Sequence, residues 1–244
     1  MKKNVYIVTC FAVLLLIPPI ILMMIGWNWS PENQPKSMKW ILWLTDTAGA
    51  PYSIVTSLIF VSITLFVFRS QRHLFVKLIA IMIFCILAMQ GLKSILKNYF
   101  QEPRPYIVWI EQQYDISNSE FYDLTRLQRA ELVQTTVNQN ENVPKWQLAH
   151  WQSETGYSFP SGHMLFAAGW ALLLIGLLWQ RRQYTFCLFL AIWAEGIGFS
   201  RMILGMHWPI DIIVSIIISG FFAIFGYALF DYKLSNKMVD RDCN

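Results

Sequence analysis

Six apolar stretches, residues 5–25, 51–68, 74–96, 164–179, 184–203 and 210–230, constrain this chain more than any other feature. Each is about as long as one bilayer crossing, and their central portions are nearly free of charge. With 55% hydrophobic and only 14% charged residues among 244, the chain is too apolar for an ordinary soluble domain. The expectation is an all-α, polytopic membrane protein: six transmembrane helices in one domain spanning 1–244, with a small, mainly helical insertion at 97–160. Trp27, Trp29, Trp40, Trp43, Trp179 and Trp208 stand at the ends of apolar runs, as an aromatic belt requires. Pro18 and Pro19 should kink the first span, which a helical bundle tolerates.

Basic residues set the orientation. Lys2 and Lys3 precede the first span, and Arg69, Arg72 and Lys77 surround the second-to-third turn. Arg181 and Arg182 fill the fourth-to-fifth turn, while Lys233, Lys237 and Arg241 follow the sixth span. By the positive-inside rule these segments and both termini are cytoplasmic. Residues 26–50, 97–160 and 200–208 then fall on the opposite face. The first of these carries a stretch in which Trp40 and Trp43 can lie flat in the interface. In the second, short helices are expected around 119–137 and 145–152, with too little mass for a core of its own.

The formal charge of +4 is spread along the loops, which argues against nucleic-acid binding. The cysteines, Cys10, Cys85, Cys187 and Cys243, show neither metal-type spacing nor an evident disulfide pairing. The N-terminal apolar run imitates a signal peptide but is long and lacks a small-x-small cleavage site, so it reads as a retained helix.

Three polar constellations fall on the face opposite the basic loops. Lys97 and Arg104 close the third span, with Pro103 and Pro105 stopping the helix and fixing the approach of Arg104. A guanidinium fork and an ammonium together suit phosphate oxygens, although both side chains are equally consistent with snorkelling to the interface. Pro160-Ser161-Gly162-His163 opens the fourth span. Ser161 suits an N-cap, Gly162 lets a ligand approach the backbone, and the helix start favours an anion beside His163; an ordinary cap and a wet histidine fit equally. Residues 200–211 carry Arg201, Gly205, His207 and Asp211. Pro209 suits the first helical turn, leaving His207 just outside and Asp211 one turn further in, within reach of the imidazole. Taken alone, that is also a helix entry in which Asp211 complements the dipole. Lys93, one turn before Lys97, either guides a head group or snorkels; Glu154 either pairs with a cationic residue or substrate hydroxyls, or is a solvated loop acid.

Taken together the inventory fits phosphoryl transfer through a covalent intermediate, and without acidic clusters a metal-assisted route has little support; no cofactor is expected. Lys-x6-Arg-Pro, Pro-Ser-Gly-His and Ser-Arg-x3-Gly-x-His-x3-Asp, in this order, resemble without departure the three motifs of the type 2 phosphatidic acid phosphatase superfamily. The likeness extends over the six spans. It implies a bacterial inner-membrane lipid phosphatase with a periplasmic site, acting on lipid phosphates in the bilayer without an obligate protein partner. Related enzymes act on phosphatidylglycerophosphate, phosphatidic acid, lysophosphatidic acid, and undecaprenyl or diacylglycerol pyrophosphates. It further implies His207 as nucleophile, Asp211 orienting it, His163 as general acid and base, and Lys97, Arg104, Ser161, Gly162 and Arg201 as phosphate ligands. Vanadate haloperoxidases share the motifs but are soluble, which the six spans oppose; a transporter would place more charge at mid-span.

Overall fold

The computed structural model describes residues 2–34 and 37–242. Cys243 and the side chains of Lys2, Lys233, Lys237 and Arg241 lie outside the described residues. Among those described, every regular element is helical. Around the expected spans run α1 (Lys2–Met24), α3 (Tyr52–Val67), α4 (Phe75–Phe100), α9 (Gly162–Leu178), α10 (Tyr184–Ile203) and α11 (Pro209–Asp242). All but α3 lie in segments long and apolar enough to cross a membrane. At 16 residues α3 is about 24 Å long against a hydrocarbon core of about 30 Å. Pro18 and Pro19 are both accommodated within α1. Outward faces carry Ile59, Phe66, Phe84, Ile192 and Phe221, each exposed, as lipid-facing helices require.

The helix α9 is apolar on every side, and such a helix has to be central. All its residues from Met164 to Leu178 are buried, and α1, α3, α4, α10 and α11 pack around it. Lipid tails supply no hydrophobic drive between helices, so polar contacts to helix carbonyls help to fix their register. Asn4 of α1 donates to Gly176 O at 2.7 Å and Ser219 of α11 to Leu165 O at 3.3 Å, while Ser215 Oγ, whose shorter contact is to Asp211 O of its own helix at 2.6 Å, lies 3.1 Å from Ser161 O. At one end of the bundle the basic turns meet: the Arg181 guanidinium binds Gln71 at 2.5 Å and covers the Phe68 ring at 4.3 Å.

At the other end a second core forms. It combines α2 (Trp40–Asp46), α5 (Pro105–Tyr114), α6 (Asn118–Asp123), α7 (Arg126–Val137) and α8 (Lys145–Ser153). Tyr106, Ile107, Phe121, Val133, Leu148 and Trp151 supply most of it, but Trp29, Ile41, Leu204 and Met206 complete it from elsewhere. The insertion therefore has no independent core, as its size implied. Two features of the segment differ from the sequence reading. Helix α5 is additional: α4 already ends at Phe100, with Gln101 in left-handed backbone, and Pro105 occupies the first turn of a new helix, a position proline also favours. The expected helix over 119–137 is two, because Ser117 with Glu120 and Thr125 with Gln128 each form a capping box. Trp40 and Trp43 on α2 are exposed, as an interfacial helix needs.

The turn between α10 and α11 is held by the second core and Arg104. Its carbonyls at 203, 204, 205 and 206 accept from Trp29 Nε1 at 2.6 Å, Trp151 Nε1 at 2.9 Å, Tyr106 N at 3.0 Å and Arg104 at 3.3 Å. Gly205 makes the turn possible: its φ is +71°, and a Cβ there would lie 2.6 Å from the Trp29 ring. Left-handed backbone alone costs a non-glycine residue about 1–2 kcal/mol, before any displacement of Trp29. Gly205→Ala should therefore lower thermal stability measurably in detergent; an unchanged melting temperature would mean that the turn is looser than described.

Candidate active site

Asp211 lies in the first turn of α11, as the position of Pro209 led us to expect. Its Oδ2 accepts from His207 Nδ1 at 3.1 Å, from the Trp208 backbone N–H at 3.0 Å and from Ser158 Oγ at 2.5 Å. Because a carboxylate only accepts, its contact with Nδ1 sets the tautomer of a neutral His207, leaving the lone pair on Nε2. Both residues are buried. Burial, followed by the charges of Arg104, Arg201 and Lys97, holds the imidazole well below its ordinary pKa, so the ring is neutral near pH 7.

The expected cations converge on the loop before α9. The Lys97 ammonium donates to Tyr157 O and, at 3.1 Å, to Ser158 O. Arg104 binds Gly156 O at 2.6 Å through Nε and approaches Glu154 Oε2 at 3.3 Å through an amino group. Arg201, fully buried, makes its shortest contact to the same oxygen at 2.7 Å. Glu154 thus sits between two guanidiniums, with its Oε1 3.7 Å from His163 Nε2. Burial pushes this carboxyl up, but Arg201 and Arg104 help to outweigh it and hold it well below the usual carboxylate value. The solvated-acid alternative for Glu154 does not describe this arrangement.

Ser161 caps α9, its Oγ accepting from Met164 N at 3.4 Å, and is buried. At Gly162 the backbone is approached by the Lys93 stem, whose Cδ would lie 2.9 Å from an added Cβ. Lys93 in turn donates to Gln90 at 2.8 Å. His163 faces Gly49, the corner between α2 and α3.

One cavity of about 700 Å³ joins these groups. Lys93, Lys97, Arg104, Glu154, Gly162, His163 and His207 line its polar end. From there it runs between α3 and α4, past Ile54, Leu58, Ile83 and Leu87. Asp211, Ser161 and Arg201 do not line it; they act on it through His207, the start of α9 and Glu154.

Several participants went unread in the sequence. Ser158 holds Asp211; Thr45 and His150 each lie 3.2 Å from an Arg201 nitrogen; Gln90 and Gly49 help line the cavity. Ser158 stands just before Pro-Ser-Gly-His, and that neighbourhood is its only signal. Thr45 and His150 carry none, because their partner lies more than 50 positions away. Among the described residues, no group of three or more His, Cys, Asp or Glu is placed to hold a metal ion.

Comparison with known proteins gives consistent matches. The chain is 42% identical over 208 residues to phosphatidylglycerophosphatase B of Escherichia coli (strain K12), covering 85% of this chain and 82% of that protein. It is 32% identical over 215 residues to the protein of that name from Haemophilus influenzae, covering 86% and 89%. Lipid A 4'-phosphatase of Bacteroides thetaiotaomicron matches at 35% identity over 86 residues, 35% of each chain. A family model described as the PAP2 superfamily matches residues 78–235, which include the cationic pair, the α9 entrance and the His207 turn. On that match over more than half of its length, the chain belongs to the PAP2 superfamily.

Proposed function

We propose that this PAP2 phosphatase hydrolyses phosphatidylglycerophosphate to phosphatidylglycerol. In the same site it would take phosphatidic acid, lysophosphatidic acid, and undecaprenyl or diacylglycerol pyrophosphates. The carrying observation is the shape of the cavity: a cationic end containing both histidines continues into an apolar passage between α3 and α4. A phosphate on a lipid needs both at once. The relatives named for acting on phosphatidylglycerophosphate support the choice of head group.

In this reading the phosphate enters beside Lys97 and Arg104 at the start of α9, where Gly162 and the helix dipole add to the attraction. Two anions cannot share the same donors, so the phosphate displaces Glu154 from part of its contact with Arg104 and Arg201. His207 Nε2 attacks phosphorus while the bond to the lipid oxygen breaks, and His163, protonated once the negative charge of the phosphate lies beside it, gives that proton to the departing alkoxide. Asp211 stabilises the cation that forms on His207. His163, now neutral, takes a proton from water as that water attacks the phosphohistidine; inorganic phosphate leaves and both histidines return to their starting states. Lys93, beside the passage, guides the head group. Every charge in the sequence is met by a side chain, so phosphate release should continue in excess EDTA.

The basic turns at the far end of the bundle support a cytoplasmic placement of the termini and a site on the opposite face of the inner membrane.

His207→Ala should abolish both turnover and the labelled phosphoenzyme obtained by rapid quenching with radioactive lipid phosphate. Label remaining on the variant would overturn the assignment of the nucleophile. His163→Ala should slow monoester hydrolysis more than pyrophosphate hydrolysis, because phosphate is the better leaving group; equal losses would contradict its role as acid. Asp211→Asn should lower kcat about 100-fold or more through loss of the tautomer and charge control, judged from the scale of such changes in histidine-carboxylate pairs. Rates within a few-fold of the parent enzyme would show that the pair does not matter to the reaction.

A further inference from the structure

The Arg201 guanidinium is fully buried, yet its two amino groups are treated differently. One faces the Glu154 carboxylate. The other has only uncharged partners, Thr45 Oγ1 of α2 and His150 Nε2 of α8, each at 3.2 Å. Arginine has no acceptor, so the His150 contact exists only while Nε2 carries a lone pair and the hydrogen is on Nδ1. Burial, and then Arg201, pushes the His150 pKa down to about 4, which keeps the ring neutral near pH 7. Its helix is anchored in the second core by Leu148 and Trp151. His150 also lies 3.9 Å from Glu154 Oε1, closing the arrangement.

We infer that His150 is a positioning residue for phosphate capture, orienting Arg201 through a neutral acceptor that leaves the guanidinium charge available to the phosphoryl group. A carboxylate in its place would bind Arg201 more strongly but cancel the charge on which anion binding depends. A side chain without an acceptor would leave a buried N–H group short of a partner. The inference rests on the phosphatase reading above.

Three variants of the full-length enzyme in detergent test it, with kcat and KM for phosphatidic acid, inhibition by inorganic phosphate and thermal unfolding measured for each. His150→Leu should raise KM and weaken phosphate inhibition by a similar factor, about tenfold or more, with a smaller change in kcat. His150→Gln, which keeps a neutral acceptor, should restore both to within about threefold of the parent enzyme. His150→Glu should unfold no earlier than the parent and still bind phosphate poorly. Unchanged KM and phosphate inhibition in His150→Leu would overturn the inference. So would equal impairment of the Gln and Leu variants, or parental phosphate binding in the Glu variant. A parent enzyme that releases no phosphate from phosphatidic acid or phosphatidylglycerophosphate would instead reject the phosphatase reading itself.

Discussion

Four consecutive backbone carbonyls, at 203 to 206, decide where His207 stands. They lie between two helices, where no ladder satisfies them, and an unpaired buried carbonyl is costly. The two indoles, the Tyr106 amide and the Arg104 guanidinium supply the donors. They come from the segment after α1 and from two stretches of the insertion, Arg104 with Tyr106 and Trp151, so the turn is held only when these have packed against it. Arg104 links this scaffold to chemistry, since the guanidinium that bonds the turn also lines the cavity.

The second constraint is charge. Lys97, Arg104 and Arg201 are gathered in a largely enclosed site, and such a concentration of positive charge without a counterion would be strongly unfavourable. Glu154 provides the nearest carboxylate to both guanidiniums, and backbone carbonyls of the loop before α9 take the Lys97 ammonium. These are replaceable partners. A phosphate carries more charge and more acceptor oxygens than one carboxylate, so in the proposed reaction it would replace Glu154 on the guanidiniums.

Much of this was legible in the sequence for physical reasons. Helices that meet lipid have to be apolar along their whole length, so the long spans declare themselves, and α9 could be recognised within them. Likewise Pro209 before Asp211 encodes a local helix start, and the spacing of Asp211 from His207 is a one-turn contact that needs no tertiary information. Long-range consequences were not readable. Glu154 could be named but not placed between Arg104 and Arg201, and the approach of the Lys93 stem to Gly162 could not be foreseen. The additional helix α5 was missed because proline both ends and begins helices, and only packing of Tyr106 and Ile107 into the second core decides between the two.

The central claim is that cations from distant parts of the chain hold one oxyanion against the Nε2 of a carboxylate-steered imidazole. An experimental structure of the complex with orthovanadate tests it most directly. Vanadium bonded to His207 Nε2, with vanadate oxygens on Lys97 and Arg104 and Glu154 shifted from its place between the guanidiniums, is the predicted result. Vanadate bound away from His207, or with Glu154 still between Arg104 and Arg201, would contradict it.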